Sequence, residues 1–154
     1  DFELTDEDLL YIRPDIHETI LKRSKLSLGD ILFSIAGTIG VSVVVPDKIK
    51  KGNINQALAI IRLNKYYDPY YVSLYFNSII GRLISEKISR PVVQTNINLS
   101  ELGTLKIPKI PRNIQKEIAD LVCKSFELRK EGKKLIKEAI LEIENKIQEK
   151  KNAK

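Results

Sequence analysis

The residues of this chain that could do chemistry are few and scattered. His17 and Cys123 are the single histidine and the single cysteine, so no zinc cluster of Cys and His can be assembled from them. No nucleophile has a base beside it in sequence. Asp68-Pro69-Tyr70-Tyr71 nearly spells the Asp-Pro-Pro-Tyr box of amino-methylating DNA methyltransferases, but the second Pro is missing. Gly37-Thr38-Ile39-Gly40 could stand for the nucleoside loop of such enzymes. That loop needs its glycines between a strand and a helix, with an acidic residue ending the next strand; here the β-branched run Val41-Ser42-Val43-Val44-Val45 follows instead. Pro14-Asp15 and Pro46-Asp47 suggest the acidic half of a metal-dependent nuclease, yet the first Glu-x-Lys downstream is Glu131-Gly132-Lys133, inside a long helical stretch. These exclusions predict a chain with no active site, no metal and no cofactor, with His17 as a surface or capping residue and Cys123 as a small packing residue.

What remains is binding chemistry. Lys48, Lys50 and Lys51 cluster in one segment, and Arg90, Gln94, Thr95 and Asn96 in another. Asn and Gln can bond adenine edges bidentately, Arg or Lys can do so to guanine, and scattered Lys grip phosphates. The competing reading of the amides is that they cap strand ends and turns.

Charge follows the same division. Residues 1–30 hold four basic and eight acidic residues, residues 31–111 ten and four, and residues 112–154 twelve and eight. The positive excess therefore lies in the middle of the chain, and a sequence pI of 9.3 suits a polyanionic partner, because Lys and Arg displace counterions condensed on phosphates. Composition alone fits a soluble, Lys-rich protein equally well. With 154 residues, 43% hydrophobic and 30% charged, the chain can bury one core and not two. A single cysteine points to a reducing, cytoplasmic compartment. No apolar run approaches the roughly 18–20 residues of a bilayer span, and the acidic N-terminus is unlike a signal peptide. With Asp1 first and no Met anywhere, the chain reads as an excised portion of something longer.

The elements that must position these residues start with two short helices, at Thr5 with Asp8 and at Asp15 with Glu18 after Pro14. Residues 30–45 predict a hairpin around Gly37–Gly40, followed by an exposed basic loop through Gly52 and a strand over Ala57–Leu63. Asp68-Pro69 opens a helix whose stripe Val72, Phe76, Ile79 and Leu83 faces the core until about Ile88. Val92–Ile97 and Leu105–Pro108 read as short strands joined through Ser100–Gly103. From Asn113, a good N-cap, to about Gln148 there is no Pro and one Gly, Gly132. This helix, up to about 50 Å long, carries Ile136, Ile140, Ile143 and Ile147 at spacings of 4, 3 and 4. It predicts a coiled coil, against the alternative of a solvated helix held by i,i+4 charge pairs. The expected class is α+β: a small, twisted, mainly antiparallel sheet with short helices over residues 1–111, then a long helix for dimerisation and spacing over residues 112–154.

An ordered series of motifs resembles the target recognition domain and following helix of Type I restriction-modification specificity subunits. It comprises Leu28-Gly29-Asp30-Ile31-Leu32, Gly37-Thr38-Ile39-Gly40, Asn53-Ile54-Asn55-Gln56, Ile61-Arg62-Leu63, Asp68-Pro69-Tyr70-Tyr71, Tyr75-Phe76-Asn77-Ser78, Gln94-Thr95-Asn96-Ile97, Leu105-Lys106-Ile107-Pro108 and Gln115-Lys116-Glu117-Ile118. The resemblance implies a non-catalytic module that reads one half of a bipartite duplex DNA site. Its helix would pair antiparallel with a counterpart, in a homodimer or with a second recognition half, while methyltransferase and restriction subunits supply the chemistry. A complete subunit has two such domains and two helices, and this chain has one of each. It would be a half-subunit, an excised half, or the C-terminal recognition region of a fused, single-chain N6-adenine methyltransferase-restriction enzyme. Arg90-Pro91-Val92-Val93-Gln94 also departs from the glycine that many relatives place before this Gln. Outside the resemblance, a coiled-coil adaptor that never touches DNA is the competing reading.

Overall fold

The computed structural model describes residues 3–5, 9–49, 51–89 and 96–152. It is an α+β chain that divides into two compact units, Asp1–Ala119 and Asp120–Lys154. In order the elements are α1 (Pro14–Glu18), a 3-10 turn (Lys22–Ser24), β1 (Ile31–Ser34), β2 (Ser42–Val44), β3 (Leu58–Ile61), α2 (Pro69–Asn77), α3 (Ile79–Ile88), α4 (Leu99–Leu102) and α5 (Arg112–Asn152). Among the described residues no helix is long and apolar enough to cross a membrane.

The first unit is built on a three-stranded antiparallel sheet with β1 in the centre, in the order β2-β1-β3. Ile31 pairs with Val44 on one side and with Ile61 on the other. A strand covered on both faces has no polar side, which explains why β1 is a continuous apolar run; Ile31, Leu32 and Phe33 are all buried. Phe33 meets Phe76 of α2 edge to face, ring centroids 5.2 Å apart, and Val44, Tyr71, Val72 and Ile97 complete the core. The hairpin read at residues 30–45 and the strand read within Ala57–Leu63 are both present.

β2 is an edge strand; on its open side Glu3 bridges Val44, and side chains occupy the rest. The Asn77 amide accepts from Ser42 N (3.1 Å) and donates to Ser42 O (2.7 Å), taking the place a neighbouring strand would hold. The Ser73 hydroxyl also donates to Ser42 O (3.1 Å), and the Ser42 hydroxyl to Ser73 O (2.9 Å). Three buried polar residues thus satisfy one another, as burial demands.

α2 starts as the sequence predicts: the Asp68 carboxylate accepts from Tyr70 N (2.9 Å) with Pro69 in the first turn. It does not run to Ile88. Ser78 is extended and caps a second helix, α3, by accepting from Gly81 N. The change of direction turns the far end of the predicted stripe outward, so Ile79 is 78% and Leu83 59% exposed while Val72 and Phe76 are buried. The corner closes on Gly81, where a Cβ would lie 2.2 Å from Tyr75 O.

Leu105–Pro108 is not a strand. Tyrosine hydroxyls on and before α2 hold this segment by its carbonyls: Tyr75 donates to Lys106 O (3.1 Å), Tyr67 to Ile107 O (3.4 Å), Tyr71 to Pro108 O (2.9 Å) and Tyr66 to Ile110 O (2.9 Å). Those carbonyls are satisfied without a ladder. The expected link at Ser100–Gly103 is largely α4, started by a capping box between Asn98 and Glu101. Residues 92–95 of the expected strand lie outside the described residues; Asn96 forms a single antiparallel bridge to Ala36. Asp8 of the helix expected at Thr5 is likewise outside them, and Glu3 bridges Val44 in parallel.

α5 begins at Arg112, one residue before the expected cap Asn113. Its first turn is fastened by Gln115, fully buried, which accepts from Asp68 N (2.8 Å) and donates to Ile110 O (2.9 Å). From Asp120 onward the helix forms the second unit.

Candidate nucleic-acid interface

The sheet presents two ends, and the candidate contact residues divide between them. At the start of β1, Asp30 is 4% exposed, and an isolated buried carboxylate would be costly. Arg62, one residue beyond β3, pairs with it bidentately (3.0 and 3.1 Å), and Ser27 N donates to it as well (2.8 Å). The Asp30 hydrogen bonds and charge raise the Arg62 pKa. This pair fixes where β1 and β3 begin and end, and with them the segments alongside.

The basic loop joins this end. Leu26 N donates to Gly52 O (3.0 Å), and Lys25 bridges Asn53 in antiparallel fashion. The Asn53 amide nitrogen donates to Leu21 O (2.8 Å) and Ser24 Oγ (3.0 Å), while its oxygen accepts from His17 Nδ1. His17 is therefore half-buried and structural: neither a surface residue nor a cap, it joins α1 to the loop. Lys48 and Lys51 are exposed here; Lys50 lies outside the described residues. The neighbouring Glu18 accepts a hydrogen bond from Lys25, which lowers its pKa, with lesser help from the charges of Lys25, His17 and Lys51.

The other end is the turn after β1. Ser34 Oγ donates to Thr38 O and accepts from Val41 N (3.0 Å). Gly40 has φ +84° and would place a Cβ 3.1 Å from Ser85 Cβ, so a side chain there would meet both backbone strain and α3. Ile97 N donates to Ile35 O (3.0 Å), which sets the exposed Asn96 beside this turn. Arg90, Gln94 and Thr95 lie outside the described residues.

Asn96 thus stands by Ala36, and Lys48 and Lys51 stand by the segment leading into Asp30. Extended chain between those points spans roughly 20 Å, so the two groups form separate surfaces joined by one rigid strand. In the second unit Ile136, Ile140, Ile143 and Ile147 are between 50% and 63% exposed. Among the described residues no group of three His, Cys, Asp or Glu could hold a metal ion.

Sequence reading missed Asn53, Asn77 and Gln115. Each is an amide in a quoted motif with a partner 32 to 47 residues away, so no local signal marks that part of its structural task.

No family model matches the chain. It is 28% identical over 146 residues to the Type I restriction enzyme EcoBI specificity subunit of Escherichia coli, a match covering 92% of this chain and 30% of that protein. It is 32% identical over 113 residues to the type I restriction enzyme MjaX specificity subunit of Methanocaldococcus jannaschii, covering 70% of this chain and 27% of that protein. The chain spans less than a third of the length of these curated relatives.

Proposed function

We propose that this chain, which belongs to the specificity-subunit family of Type I restriction systems, is a non-catalytic module that recognises a short duplex DNA sequence. The similarity to a specificity subunit over 92% of the chain carries the reading. The placement of exposed lysines and an exposed asparagine at two ends of one sheet supports it, because phosphate contacts fix position and amide contacts to base edges give sequence preference. Lys48, Lys50 and Lys51 hold the backbone; Arg90, Gln94, Thr95 and Asn96 read bases. The module reads one half of a bipartite site and brings methyltransferase and restriction subunits to it in the cytoplasm.

α5 sets the spacing by pairing antiparallel with a second copy or a second recognition half, through Ile136, Ile140, Ile143 and Ile147.

Selection from a randomised duplex pool, followed by titration at several salt concentrations, tests the reading. The expected result is enrichment of one short sequence, tight binding that weakens steeply with salt, and loss of the preference when Asn96 is replaced by Ala. Equal affinity for every duplex, or none for any, contradicts it.

A further inference from the structure

The lysine loop does not account for all the fixed positive charge at its end of the sheet. Lys22 and Arg23 sit in the 3-10 turn, both exposed. The residues flanking them are tied to the lysine loop: Leu21 O and Ser24 Oγ both accept from the Asn53 amide, Lys25 bridges Asn53, and Leu26 N reaches Gly52 O. Residues from two segments some thirty positions apart are therefore held together at Lys22, Arg23 and Lys51. Nearby acids are already engaged, Asp15 with Arg13, Glu18 with Lys25 and Asp30 with Arg62. Lys22 and Arg23 form no ion pair among the described residues.

Such a turn needs little ordering to meet a polyanion, because it is already held by Asn53, whose amide is held in turn by His17. We infer that Lys22 and Arg23, with Lys51, form a preformed phosphate clamp that grips the DNA backbone without reading sequence, at the end of the sheet away from Asn96. This rests on the DNA-recognition reading and adds two residues from a different segment to it. Separation from Asn96 has a specific consequence: the clamp contributes equally to all duplexes.

The test uses the 154-residue chain, the duplex it selects from a randomised pool, and a scrambled duplex of the same length. In K22Q/R23Q, affinity for both duplexes falls by a similar factor, on the order of tenfold. The slope of log affinity against log salt shrinks by about 1.8, for two phosphates at about 0.9 each. The ratio between the two duplexes stays constant. R23K keeps most of the affinity, and K51Q, in the other segment, shifts affinity in the same direction as K22Q/R23Q. An unchanged melting temperature verifies that the exposed substitutions leave the fold intact. Unaltered affinity and slope in K22Q/R23Q overturn the clamp and leave DNA recognition standing, as does a changed preference between duplexes. Absence of salt-dependent binding by the unsubstituted chain overturns both.

Discussion

Tyr71 shows how burial acts on a single hydroxyl. Its ring lies in the core and its phenol donates to Pro108 O. Burial, and secondarily the charges of Tyr67, Tyr75 and Tyr66, raise its pKa above the ordinary 10.0. The folded state therefore holds the proton more tightly than the unfolded one. Its contribution is fully present below about pH 10 and is lost as pH rises through the raised value. Tyr71→Phe should cost about 1 kcal/mol near neutral pH and flatten the decline in stability above pH 10. Urea midpoints measured across pH check this, and an equally steep alkaline decline in the variant contradicts it. Residue roles were legible where the partner is local, as with the Asp68 cap. They were illegible where it is distant: Asp30 and Arg62 stood in separate motifs, and nothing in either names the other. His17 was misread for the same reason, since its Asn53 partner follows 36 positions later.

Among the elements, the α2–α3 corner carries the clearest lesson. Spacings of 4, 3 and 4 from Val72 to Leu83 are those of one helix, yet the chain breaks within them. A local signal won: Ser78 offers its hydroxyl as a cap, and Gly81 alone lets the two helices meet. Gly81→Ala should cost about 2–3 kcal/mol, because its Cβ meets backbone at 2.2 and 2.6 Å and the helices must part. Gly132→Ala is the opposite case. It lies in α5 with nothing within 4 Å of a new Cβ, so it should gain about 1 kcal/mol of helix stability. Thermal melts of the two variants, followed by circular dichroism, should shift in opposite directions. The central strand, the hairpin and the long helix were legible because an apolar run, a glycine turn and an uninterrupted charged stretch are local patterns. The segment at residues 105–110 was not, because its apolar residues look like a strand while its hydrogen bonds go to tyrosine side chains.

At the scale of the whole molecule the two units depend on different things. The first is closed by its own core and by buried polar networks. The second exposes four isoleucines at coiled-coil spacing, an arrangement that solvent does not favour. I140K/I143K should abolish self-association in sedimentation while leaving the first unit's melting unchanged; an unchanged mass for both forms of the chain would mark the helix as a solvated arm. The row of tyrosines has its own bearing on how such a chain can change over time. Every residue type carries a carbonyl, and the side chains of Lys106 and Pro108 are exposed, so the hold at those two positions is on main chain alone. Selection is then concentrated on the phenols, and positions 106 and 108 can drift in sequence without releasing the grip, while Leu105, Ile107 and Ile110 stay packed on the core.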